Sequence, residues 1–193
     1  QILGDTSCVA YYKMSDATDE SGNYDGTPTS VNFNVAGNFG NAGEFNGSSS
    51  IFYVNSFDTT TNFSISLWFK TSASTNQVLA NNGGYETGAT GFLLYLNTSG
   101  NILLSTGSGG GTFIGTASTS AYNNGLWHNV VLSYASNGVY SIYVDNQSVV
   151  SETSNRYTGS SVASRPFALG VWTQLNQWYL NGLIDQVRIF NKA

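Results

Sequence analysis

Residues 63–70 set Phe63, Ile65, Leu67 and Phe69 on one side of an extended chain and Ser64, Ser66 and Lys70 on the other, a period of two that no α-helix gathers onto one stripe. Trp68 alone interrupts the polar row. The pattern recurs over residues 126–134, where His128, Val130, Leu132 and Tyr134 share a face, and over residues 139–145, where Tyr140, Ile142 and Val144 do. Asn137-Gly138 between those two segments is a hairpin-turn signal. Residues 92–96 and 101–105, joined through Thr98-Ser99-Gly100, form a second predicted hairpin, and residues 163–171 and 183–190 supply the last long strands. Residues 172–182, rich in aromatics and amides, read as a surface loop between them. Short alternating runs punctuated by 22 glycines and two prolines predict an all-β fold, a two-sheet antiparallel β-sandwich of the jelly-roll type, over residues 1–193 as a single domain.

Composition narrows the partners. Only 9% of the residues are charged, and Gly, Ser, Thr and Asn fill the polar positions. Four Trp, twelve Tyr and eleven Phe run through the chain, which separates it from disordered polar sequences. The net charge is −5, and Lys13, Lys70, Arg156, Arg165, Arg188 and Lys192 are scattered, so there is no positive stripe to follow nucleic-acid phosphates or anionic lipid. No apolar run approaches the ~20 residues of a spanning helix, so membrane insertion is not expected. Residues 1–10 lack the pattern of a signal peptide, and a start at Gln1 reads as a mature or excised chain. Cys8 has no second cysteine to pair with and reads as a small buried hydrophobe in a first strand.

Several segments, in order, resemble the laminin-G-like jelly roll of the concanavalin A-like lectin/glucanase superfamily. Val9-Ala10-Tyr11-Tyr12-Lys13-Met14 is similar to that family's first strand, and Asp19-Glu20-Ser21-Gly22-Asn23-Tyr24-Asp25-Gly26 to its first loop. Ala36-Gly37-Asn38-Phe39-Gly40-Asn41-Ala42 followed by Glu44-Phe45-Asn46-Gly47, the strand at residues 63–70, Trp127-His128-Asn129-Val130-Val131 and residues 140–146 continue the match. Leu180-Asn181-Gly182-Leu183-Ile184-Asp185-Gln186-Val187-Arg188-Ile189-Phe190-Asn191 resembles the family's closing strand, with Gln186 where an acid is usual. The last ten residues also resemble modules of phage tail-fibre and other virion proteins. That likeness implies an extracellular or virion-surface location. The architecture serves lectins, adhesion domains and glycosidases alike, so function has to come from the sites.

A retaining glycosidase needs two carboxylates about 5 Å apart. The strand-borne Glu-x-Asp-x-Glu triplet of the family's glucanases is missing here, and Glu20, Glu44, Glu86 and Glu152 are far apart in sequence. His128 is the only histidine and shares a face with Val130 and Leu132, which suits a hydrogen-bonded framework residue better than a catalytic base. The expectation is a non-enzyme.

Asp16, Asp19, Asn23 and Asp25, with Ser21 and Gly22, bring hard oxygen ligands to one short turn. Alternation along residues 183–190 puts Asp185 with Leu183, Val187 and Ile189 on the more apolar face, where a carboxylate needs a partner. The resemblance implies a structural Ca²⁺ held by Asp19, Asn23, Asp25 and Asp185, tying the first loop to the last strand. The other reading has Asp19 and Asp25 accepting backbone hydrogen bonds in an Asx turn, with Asp185 paired to Arg188 or to backbone amides.

Sugar recognition sets an aromatic face against the apolar side of a pyranose and amides against its hydroxyls. The richest local supply is Trp172, Gln174, Asn176 and Trp178, with Asn82 and Tyr85 in a second glycine-bounded loop. Tyr179 matches a framework position of the family and is set aside. The expected partner is a glycan or cell-surface polysaccharide, with other virion or surface-protein subunits as the alternative.

Overall fold

A computed structural model describes residues 6–54, 62–83, 91–108, 111–154 and 166–193. Among them there are strands and no helix: β1 (Cys8–Tyr12), β2 (Thr27–Thr29), β3 (Asn32–Ala36), β4 (Asn41–Asn46), β5 (Ile51–Val54), β6 (Phe63–Thr71), β7 (Gln77–Asn81), β8 (Gly91–Leu96), β9 (Ile102–Ser108), β10 (Gly111–Ile114), β11 (His128–Tyr134), β12 (Val139–Val144), β13 (Gln147–Thr153), β14 (Phe167–Leu169) and β15 (Asn181–Phe190). They form two antiparallel sheets, so the β-sandwich expected from the alternation is the fold. The larger sheet runs β13-β12-β11-β6-β15-β4-β3, with β1 also paired to β15. The smaller runs β10-β9-β8-β7-β14-β5-β2.

The alternating faces close on each other as their period requires. Phe63, Ile65, Leu67 and Phe69 of β6, Val130 and Leu132 of β11, and Ile142 and Val144 of β12 are buried against Phe52, Phe92, Leu94, Leu104, Phe167 and Leu169 of the facing sheet. Phe63 stacks on Tyr134 at 5.6 Å and, across the sandwich, on Phe92 at 5.0 Å. Both predicted turns form: Gly100 (φ 80°) donates its N–H to Asn97 O, and Gly138 (φ 84°) to Ala135 O. Of the strand expected over residues 163–171, β14 occupies three residues, and residues 163–165 lie outside the described residues.

β15 departs from the simple period. Its first half pairs with β4 and its second half with β1, while β6 borders it throughout. The register slips between Asp185 and Arg188, and Gln186 takes a left-handed backbone (φ 53°), the mark of a β-bulge. One extra residue reverses the parity of everything beyond it. Ile184, Val187 and Ile189 face the core, whereas Asp185 turns to the outer face. The expectation that Asp185 shares a face with Val187 and Ile189 is therefore corrected.

Candidate functional site

The outer face of the smaller sheet is apolar where β7, β8 and β9 meet, and Val78, Leu93, Tyr95 and Leu103 form a second hydrophobic cluster there. An apolar outer face needs cover, and the loop between β14 and β15 supplies it. Two fully buried amides of β7 hold that loop at both ends. Asn81 donates through Nδ2 to Val171 O (2.6 Å) and accepts Thr173 Oγ1 (2.9 Å), and Gln77 Oε1 accepts the Asn181 N–H (3.0 Å). Trp172 and Gln177 close the loop by a bridge, with the Trp172 N–H on Gln177 O at 3.0 Å.

This arrangement separates the two tryptophans expected to bind. Trp172 is only 2% exposed and packs into the outer cluster. It is a support, not the exposed platform the sequence led us to expect. Trp178 is half-buried, 4.8 Å from Trp172 and 5.3 Å from Tyr95 by ring centroids. Burial pushes the Tyr95 hydroxyl upward in pKa, against a smaller opposing effect of Ser105, so the ring beneath Trp178 stays neutral. The Trp178 backbone is left-handed (φ 58°), a conformation unfavourable to a bulky residue and concentrated at functional positions. Its carbonyl accepts the Val78 N–H at 3.0 Å, which fixes that conformation.

Beside Trp178 lies an open groove of about 430 Å³, lined by Gly47, Thr75, Asn76, Thr98, Asn176, Gln177, Trp178 and Tyr179. Its volume falls within the ~300–1,000 Å³ of small-ligand pockets, and no charged side chain lines it. Of the residues expected from sequence, Trp178 and Asn176 reach this groove. Gln174 is half-buried in the same loop but not on the groove wall. Asn82 is buried and its Oδ1 accepts the Phe92 N–H at 2.8 Å, so it braces β8 and is unavailable to a ligand, correcting that expectation. Tyr85 lies outside the described residues. Tyr179, set aside on sequence, lines the groove, as do Thr75, Asn76 and Thr98 from separate loops that no local pattern connects.

The carboxylates of the first loop are engaged by protein donors. Asp19 Oδ1 accepts the N–H groups of Tyr11 (2.8 Å) and Ser21 (2.9 Å), and Oδ2 those of Tyr24 (3.1 Å) and Asn23 (3.3 Å) as well as the Ser21 hydroxyl. Burial raises its pKa, but these bonds outweigh burial and hold it below the usual carboxylate range. Asp25 Oδ1 accepts the Asp19 N–H at 2.9 Å. Asn23 donates through Nδ2 to Ser21 O. Asp185 is fully buried under the turn at residues 37–40, with Oδ2 on the Phe39 N–H at 2.8 Å and Oδ1 without a hydrogen-bond partner. Burial raises its pKa, more than the Phe39 N–H bond and the neighbouring Asn38 and Gln186 lower it. Among the described residues no three His, Cys, Asp or Glu side chains gather as a metal would require. Asp19, Asp25 and Asp185 accept backbone N–H groups, as the Asx-turn reading has them. His128 is a framework residue, with Nδ1 2.7 Å from Asp145 Oδ2 and Nε2 3.0 Å from Asn124 Oδ1.

Two sheets in this order, with a tryptophan groove outside the smaller one, define a lectin-like jelly roll. A family model described as the concanavalin A-like lectin/glucanases superfamily matches residues 41–193, and the chain belongs to that family. Among solved structures it is similar to domain 4 of AbnA, a GH43 extracellular arabinanase from Geobacillus stearothermophilus, in complex with arabinotriose. Identity is 25% and the TM-score 0.76, over 97% of this chain and 93% of that one. The botulinum neurotoxin serotype D binding domain shares the fold at 16% identity and TM-score 0.72, over 96% of this chain and 48% of the other. The CBM40 of Ruminococcus gnavus IT-sialidase does so at 14% identity and TM-score 0.58, over 70% and 78%. No curated protein sequence matches the chain.

Proposed function

We propose that this chain is a non-catalytic carbohydrate-binding module that holds a neutral oligosaccharide in the Trp178 groove. The supporting observation is the groove itself, in which an indole braced from behind by Trp172 and Tyr95 stands among hydroxyls and amides. An uncharged wall suits a neutral sugar, whose C–H face stacks on the indole while Asn76, Asn176, Gln177, Thr75 and Thr98 meet its hydroxyls. The likeness to an arabinanase domain in complex with arabinotriose makes arabino-oligosaccharides the first ligands to test. The carboxylates also favour binding over hydrolysis, because each described one already serves a structural bond. Asp16 accepts Thr18 N–H, Glu20 pairs with Lys13, Glu44 accepts from Asn32, and Glu152 accepts from Thr116 and Tyr140. Such a module is suited to an extracellular protein or a virion surface, including a phage tail fibre. No helix among the described residues is long and apolar enough to cross a membrane.

A glycan array carrying arabino-oligosaccharides, run on the native chain beside Trp178→Ala, tests the proposal. Binding lost in Trp178→Ala is the expected result. No binding by the native chain to any glycan would remove the lectin reading, and equal binding by both proteins would remove the groove.

A further inference from the structure

The outer face of the larger sheet carries a second set of features that the Trp178 groove does not use. Trp68, the residue that interrupts the polar row of β6, lies directly between Asn129 of β11 and Asp185 of β15. Against its ring, edge to face at 5.7 Å, stands Phe39, which is 56% exposed. The turn that presents Phe39 is built for that position. The Phe39 N–H bonds to buried Asp185, and Gly37 has no room for a side chain, since a Cβ there would sit 2.7 Å from Asp185 Oδ2 and 2.9 Å from the Asn41 main chain. The bulge at Gln186 is what puts Arg188 on the same face as Asp185.

Charge flanks the aromatic pair. Arg188, opposite Ser66, lies 4.4 Å over the Tyr11 ring and donates to Gln186 Oε1 at 2.9 Å, and the same oxygen accepts the Tyr11 hydroxyl at 2.6 Å. Lys70 stands at the other end of β6, beside a groove of about 260 Å³ that Glu44, Ser72 and Asn181 also line. Among the described residues neither Arg188 nor Lys70 forms an ion pair. Glu44 is separated from Lys70 by Leu183 and accepts from Asn32 Nδ2 at 2.9 Å. In a chain of net charge −5, two unpaired cations lie on one face, about 13 Å apart along β6 at the usual strand rise, with the Trp68–Phe39 pair midway.

We propose that this face is a second, independent subsite for an acidic oligosaccharide. Stacking on Phe39 and Trp68 takes the C–H face of one sugar. The free guanidinium donors of Arg188 take the carboxylate or sulfate of one unit, and Lys70 that of a unit farther along. The spacing selects a chain with anionic groups on successive units over a single sugar.

The test is calorimetric binding of pentamers of galacturonate, mannuronate and sulfated galactose to the native chain, to Phe39→Ala, to Arg188→Gln and to Trp178→Ala, with methyl-esterified or desulfated pentamers as uncharged counterparts. Phe39 is exposed, so its removal leaves the fold intact, and circular dichroism on each variant verifies this. An acidic pentamer is expected to bind the native chain, to lose affinity on esterification or desulfation, to weaken about tenfold or more in Phe39→Ala and Arg188→Gln, and to be unaffected in Trp178→Ala. The proposal is overturned if none of the acidic pentamers binds, if the uncharged counterparts bind equally, or if binding survives both Phe39→Ala and Arg188→Gln. Neutral-glycan binding read on the same proteins depends on Trp178, so failure of either site is seen apart from the other.

Discussion

Replacing Asp19 by Ala tests how the first loop is held. The carboxylate is 1% exposed and receives four backbone N–H groups and one hydroxyl, whereas a carboxylate offers about four lone-pair positions. Its capacity is filled by the chain. Hydrogen bonds to a charged group contribute about 1.5–3 kcal/mol each, and the donors on Ser21 and Asn23 regain water when the carboxylate is removed. The Tyr11 and Tyr24 amides, on half-buried residues, do not regain it as readily. Counting those two fully gives a loss of about 3–6 kcal/mol. In a chain of this length 1 kcal/mol moves Tm by about 2–4 °C, so the expected drop is on the order of 10 °C by calorimetry. Because the folded pKa of Asp19 is depressed, its contribution is complete above the unfolded carboxylate value and disappears as pH falls through the folded one. The native chain and Asp19→Ala should therefore converge in Tm toward acid pH. Adding Ca²⁺ or EDTA at neutral pH should leave the native Tm unchanged, since Asp19 has no lone pair to spare. A loss under about 1 kcal/mol, or a rise of several degrees with Ca²⁺, would refute the reasoning and return the loop to a metal.

Trp172→Ala, which empties a buried volume, should cost about 3–5 kcal/mol and also abolish glycan binding by removing the brace behind Trp178; Trp178→Ala should abolish binding with a smaller loss of Tm. Gly37→Ala should lower Tm by several degrees and weaken acidic-oligosaccharide binding, because its Cβ would displace the turn that carries Phe39. The Asp185 pKa is raised by burial, so the ionised group opposes folding and protonation relieves it as pH falls through the folded value. Asp185→Asn, which keeps an acceptor for the Phe39 N–H, should be at least as stable as the native chain at pH 8 in urea titrations, and any advantage should shrink toward pH 4.

The sequence alone determined the elements whose information is local. A period of two in residues 63–70, 128–134 and 139–144 names the buried face of each strand, because the pleat alternates whatever lies on the other side. Asn137-Gly138 and Thr98-Ser99-Gly100 mark turns because only certain residues tolerate a positive φ. The ordered motifs carried the superfamily and with it the sandwich. Tertiary structure decided the rest. Parity along β15 depends on the bulge at Gln186, which arises where β4 gives way to β1 as neighbour, and no local pattern announces that change. Trp172 and Trp178 are alike in sequence context, yet one seals an apolar sheet face and the other stands at a groove. Which does which depends on Gln77 and Asn81, nearly a hundred residues earlier. The groove gathers residues 47, 75–76, 98 and 176–179, and their proximity exists only once both sheets have closed.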